Sequence, residues 1–126
     1  MARVLVAAQT PPGAFPGLPV TPGSRALSEQ AADTVLGNYT PIMSGKTLVL
    51  AHNTDSGAHT VTFTSVVDGQ NRSGDITAYS IAAGAIALFG PFVTVPTGWA
   101  QSTPAASSLW MDANDATIKW IVLTQA

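Results

Sequence analysis

Cysteine is absent from the 126 residues. No disulfide framework and no thiolate metal site is therefore available, and the fold must stand on packing and strand pairing. Charge is scarce as well: Asp, Glu, Lys and Arg together make up 10% of the chain, against roughly 25% in ordinary soluble proteins. The basic residues Arg3, Arg25, Lys46, Arg72 and Lys119 are scattered, and the net charge is −2. That leaves no basic stripe to neutralise several phosphates from one face, so direct nucleic-acid binding is not expected. No apolar run approaches the roughly 18 residues of a membrane helix. The run after Arg3, Val4 to Ala8, is too short for the apolar part of a secretory leader, so synthesis in the cytoplasm and no membrane partner are expected. A sustained 3.6-residue period is missing, which excludes a helical bundle, and no βαβ alternation points to a parallel sheet.

What remains is a chain that is 46% hydrophobic, with a surface that must be covered mainly by Thr, Ser, Asn, Gln, Ala and Gly. These groups desolvate more cheaply than Lys or Glu, so such a surface suits burial against neighbouring molecules. The length allows one core. Two parts are expected: residues 1–24, an N-terminal strand followed by a Pro/Gly-rich arm, and residues 25–126, a β domain. Pro11, Pro12, Pro16, Pro19 and Pro22 fall within the arm. Proline fixes φ and lacks an N–H, so this stretch cannot lie inside a sheet and reads as extended. Its apolar Phe15, Leu18 and Val20 distinguish it from a solvated linker and suggest that it seeks a groove, on its own chain or on another.

Short strands account for most of the rest. Thr60, Thr62 and Thr64 alternate with Val61, Phe63 and Ser65, the period of two that belongs to a half-buried strand. Residues 46–52, KTLVLAH, are apolar on both faces and read as an interior strand. The turn residues of Asn53 to Gly57 predict a hairpin from that strand to the one over 59–67. Residues 68–74, DGQNRSG, read as a loop. Strands follow over 76–81, with Tyr79 at a surface or interface position, and over 85–89, ending at Gly90-Pro91. A closing hairpin is expected between 109–112 and 117–123, the last strand apolar on both faces and so in contact with a second layer or a neighbour. Residues 25–33, RALSEQAAD, read either as a turn or two of helix or as an edge strand. The predicted class is all-β: one compact β-sandwich, jelly-roll-like or barrel domain of about eight short strands with an extended Pro-rich N-terminal arm.

Candidates for chemistry are few. His52 and His59 flank the 53–58 turn, where Asp55 is the nearby carboxylate; strand-end histidines bonding the turn are a simpler reading than a two-histidine metal site. Asp112, Asn114 and Asp115 lack the alternation and the following Glu of a calcium loop and read as an Asx-rich turn. No serine sits in a nucleophile elbow, and no pair of acids stands out for glycosidase work. No catalytic residue, no metal and no cofactor is expected, and hence no enzyme. Asn38-Tyr39-Thr40 and Asn71-Arg72-Ser73 match the glycosylation pattern but lack a secretory context.

The opening MARVLVAAQTPPGAFP, the middle LVLAHNTDSGAHTVTFTSVVDGQNRSGDITAYSIAAG, the turn into FGPF and the closing DANDATIKWIVL together resemble small virion proteins of tailed bacteriophages, of the head decoration or capsid cement kind. The resemblance spans nearly the whole chain and is one of texture, not of a catalytic motif. It implies a structural protein on the capsid surface, partnered by the major capsid protein and by copies of itself, commonly as a homotrimer. In that setting Phe15, Leu18 and Val20 on the arm and Tyr79, Trp99 and Trp110 on the domain become the interface anchors. Deleting residues 1–24 is then expected to abolish shell binding and to leave the domain folded. Two other readings stand beside it: a neck, tail-tube or tail-completion protein, which would form rings, and an Ig-like or carbohydrate-binding adhesion module with Trp99 or Trp110 as its sugar platform.

Overall fold

Alternating burial is the rule that organises the molecule. In the computed structural model, which describes residues 2–10, 26–67, 70, 74–94 and 98–124, the described residues form nine strands and no helix: β1 (Val4–Leu5), β2 (Gln30–Ala31), β3 (Asn38–Pro41), β4 (Thr47–Asn53), β5 (His59–Thr64), β6 (Ile76–Ile81), β7 (Ile86–Phe89), β8 (Ser108–Ala113) and β9 (Ile118–Thr124). Strand β4 alternates buried and half-buried residues along its whole length. In β5 it is Val61 and Phe63 that turn inward, leaving Thr60, Thr62 and Thr64 outside. Of the ambiguous 25–33 segment, Gln30–Ala31 forms an edge strand, β2, paired with β9 through Gln30↔Trp120 and Ala31↔Lys119.

Two sheets face each other, one in the order β1-β3-β8-β5-β6 and the other in the order β2-β9-β4-β7. The pairings are nested: β2 with β9, β3 with β8, β4 with β7 and β5 with β6. This is one long antiparallel ribbon rolled up so that β4 also meets β9 and β5 meets β8, which is the jelly-roll form of the β-sandwich. Strand β1 is added outside the roll, parallel to β3.

The nesting corrects two expectations. The segments on either side of the 53–57 turn, β4 and β5, lie in different sheets, so that turn is an arch over the end of the sandwich and not a hairpin. The same holds for β8 and β9, expected as a closing hairpin. Turn-forming residues report a reversal of the chain; they carry no information on which sheet the chain enters next. The antiparallel pair formed by consecutive strands is β5–β6.

The core lies between the sheets. Phe63, fully buried, touches Phe89 at 4.7 Å, Phe92 at 5.6 Å and Trp120 at 5.8 Å between ring centroids, joining β5 of one sheet to β7 and β9 of the other in the offset geometries that aromatic pairs favour. Two asparagines staple the layers. On β3, Asn38 accepts hydrogen bonds at Oδ1 from the Trp120 indole N–H and the Asp33 N–H, and donates from Nδ2 to the Val4 carbonyl. Asn53, at the end of β4, donates to the carbonyls of Gly57 and Ile81 and accepts from the Asp55 N–H.

The N-terminal residues belong to this framework. Val6 is a core residue, Arg3 pairs with Asp112 at 2.9 Å, and Gln9 bridges to Leu123 of β9. The expectation that residues 1–24 can be removed without harm to the domain is therefore corrected for its first part: the stretch over residues 3–9 is built in, while residues 11–24 are outside the described residues.

Candidate functional site

As β1 and β2 are on one side of the sandwich, β6 and β7 are the edge strands of their sheets on the other. Both strands are short, and β6 is irregular. Its register with β5 shifts between Val61 and Phe63, Ala78 takes a left-handed φ of 50°, and the Ala78 N–H turns to the Thr62 hydroxyl. Such a bulge re-aims side chains at a sheet edge. Here it sends Tyr79 across the mouth of the sandwich onto Phe89, edge to face at 5.4 Å.

Between the two strands runs a groove of about 480 Å³ lined by Ile76, Tyr79, Ile81, Ile86, Leu88 and Phe89 among others. Tyr79 is 50% exposed, Ile86 55% and Leu88 62%. The polar side chains of the lining are the hydroxyls of Tyr79 and Ser80. Among the described residues no carboxylate, imidazole or amine lines it, so what the groove offers is mainly apolar contact. The outer face of the adjoining sheet is apolar as well, with Leu88 opposite Leu50 and Leu50 opposite Ile121, which is itself buried.

Titratable groups gather elsewhere, at the rim where the β4–β5 arch meets the β8–β9 arch. The ligand atoms of Asp55, His59 and Asp115 lie within 4.8 Å of one another, a set that could hold a divalent cation. Each is already engaged. His59 Nε2 bonds Asp55 Oδ2 at 2.8 Å, and Asp115 accepts from the Thr117 N–H at 2.9 Å and its hydroxyl at 2.7 Å. The hydrogen bond that His59 donates to Asp55, helped by the charge of Asp115, raises the pKa of His59, and the same bond lowers that of Asp55. Backbone and hydroxyl donation from Thr117 lowers that of Asp115. The His59–Asp55 pair closes the β4–β5 arch on itself, and the Asp115 carboxylate of the other arch stands close by without bonding the imidazole.

His52 does not face His59. It points from the outer face of its sheet to Glu29, with Nδ1 at 2.8 Å from the carboxylate. Asp112, Asn114 and Asp115 likewise serve three separate partners, Arg3, the Thr60 N–H and Thr117.

Of the expected interface anchors, Tyr79 lies in the groove. Trp99 stacks edge-on against Phe92 at 5.4 Å and packs on the core. Trp110 donates its indole N–H to the Thr103 carbonyl and has Arg3 over its ring at 4.5 Å. Phe15, Leu18 and Val20 lie outside the described residues. Ile86 and Leu88 are the groove residues that sequence reasoning missed: in the short apolar run IALF, nothing distinguishes an edge strand from an interior one. Against known proteins, the chain matches no family model, no curated protein and no solved structure.

Proposed function

We propose that this chain is a structural virion protein, a capsid decoration protein that reinforces a phage head through contacts with the major capsid protein and with copies of itself. The observation that carries the reading is the open β6–β7 edge, where large apolar side chains stand half-exposed beside unpaired strands. A monomer working alone is disadvantaged by such an edge, since unpaired strands and apolar patches invite association. A protein whose working state is an assembly uses it. The low charge of the chain supports the same reading, because few charges need desolvation when the surface is covered. Jelly rolls serve as capsid and lectin domains alike, so the fold agrees with this role without selecting it. No reaction is assigned: no acid–base pair lines the groove among the described residues, and in the rim cluster His59 is paired with Asp55 while Asp115 is bonded by Thr117.

The test is localisation on the particle. Phage carrying an epitope-tagged copy of the chain, viewed by electron microscopy with a labelled antibody, is expected to show label over the head lattice, and native mass spectrometry of the purified chain is expected to show trimers. Label confined below the head would establish the neck or tail reading instead. Particles without the chain would overturn a virion role.

A further inference from the structure

We propose that the β6–β7 groove is the receptor for the proline-rich segment, residues 11–24, of a second copy of the chain, laid into it as a polyproline II helix. The inference rests on the multi-copy reading above and names the surface that would join the copies.

Complementarity of the two parts is the first argument. Pro16, Pro19 and Pro22 are spaced three apart, and Phe15 and Leu18 repeat the same interval. A polyproline II helix has three residues per turn, so in that conformation the prolines form one ridge and Phe15 and Leu18 form the next. Ridges of this kind dock in aromatic-lined grooves, where the helix costs little conformational entropy because its prolines preset it. The Tyr79–Phe89 pair provides such a lining. No charged residue occurs between 11 and 24, and none lines the groove, so neither side leaves a charge buried.

The positions where the segment leaves and re-enters the fold supply the second argument. Gln9 bridges to Leu123, and its side chain is locked to Ser28, donating to the Ser28 carbonyl at 2.8 Å and accepting the Ser28 N–H at 3.0 Å. Both ends are thus pinned together on the β2–β9 side of the four-stranded sheet, whereas β7 is the opposite edge. With strands about 4.8 Å apart, the segment's own groove is three intervals away. A loop that must go out and return, at about 3.1 Å per residue, would spend about half of its length on that crossing. A neighbour whose β6–β7 edge abuts the β2 edge meets the whole run from Pro16 to Pro22. No described segment of the same chain covers Tyr79, Ile86 or Leu88. The contact is head-to-tail, and head-to-tail contacts close into rings when the rotation allows.

The absence of cysteine makes the test clean. Leu18→Cys and Leu88→Cys variants, prepared separately and mixed under oxidising conditions, are expected to give a covalent dimer at least tenfold above that from either variant alone. Adding Pro16→Ala, Pro19→Ala and Pro22→Ala to the Leu18→Cys chain is expected to lower that yield at least tenfold. Circular dichroism of each variant verifies the fold; Leu88 is exposed, so its replacement leaves the core intact. Absence of the mixed dimer overturns the proposal. So does a Leu18→Cys, Leu88→Cys double variant that cross-links only within its own chain. Because the readout uses purified protein, chains that cross-link between copies but are missing from phage heads would overturn the virion reading alone. Label on heads without the cross-link would overturn this inference alone.

Discussion

Asn38 shows how a residue changes meaning once it is folded. In the sequence it heads a glycosylation pattern; in the structure it is 1% exposed and holds Trp120, Asp33 and Val4 together. Replacing it with Ala strands the Trp120 indole N–H and the Asp33 N–H in the interior, at about 1–3 kcal/mol for each unsatisfied group. We expect Asn38→Ala to destabilise the protein by about 3 kcal/mol in urea unfolding. Thr40, two residues along the same strand, makes the opposite case: its hydroxyl is buried and finds no partner among the described residues. Thr40→Val keeps the shape and removes the unpaired group, so it should stabilise by about 1 kcal/mol by the same measurement. Neither role was legible in the sequence, because an asparagine or threonine at an inward position of a strand looks the same whether it is satisfied or not. His59 was partly legible, as a strand-end histidine bonding its turn. Its folded pKa is raised above the ordinary 6.5, so its contribution is complete below that value and is lost as pH rises through the folded pKa. Asp55 and Asp115 are lowered from 3.8, so theirs is present above that value and is lost as pH falls through their folded pKa values. The rim therefore contributes most between about pH 4 and 6.5. Midpoints of urea unfolding taken across pH 5 to 9 should fall on the alkaline side, and His59→Gln should flatten that fall.

At the scale of elements, the strands were legible and their partners were not. A period of two in residues 60–65 and two-sided apolarity in 46–52 reflect inner faces and interior positions, and β5 and β4 carry both. Which strand a given strand pairs with depends on how the ribbon rolls, and that is decided by contacts between residues far apart in the chain. The N-terminal region illustrates the limit. Proline spacing separates 11–24 from what surrounds it, yet nothing in Arg3 to Gln9 announces that Val6 enters the core or that Gln9 joins β9. Two deletions follow from this division and should differ. Removing residues 1–9 takes away β1, the buried Val6 and the Arg3–Asp112 pair, and is expected to cost about 2–4 kcal/mol. Excising residues 11–24 and joining the pinned ends with a short glycine linker keeps Val6, Arg3 and the Gln9 bridge in place and is expected to lower the urea midpoint by less.

For the molecule as a whole, the all-β class and the approximate number of strands could be read in advance, whereas the jelly-roll order could not. That order has a kinetic consequence. Residues 30 and 120 pair, as do 47 and 124, so the four-stranded sheet cannot close until the two ends of the chain have met. Loop-closure entropy must be met before such distant contacts give anything back, and β-sandwiches with this kind of pairing fold in milliseconds to seconds. The aromatic cluster strengthens the coupling, since Phe63 of one sheet packs on Phe89 and Trp120 of the other and neither sheet keeps a complete apolar cover alone. We therefore expect one cooperative transition. Tryptophan fluorescence, dominated by loss of the buried Trp120 environment, and far-ultraviolet circular dichroism, which reports the strands, should give coincident urea curves. Stopped-flow refolding should show a main phase no faster than milliseconds. Separate transitions by the two probes would mean that one sheet survives without the other, and would place the stability of the roll in its sheets instead of in the core between them.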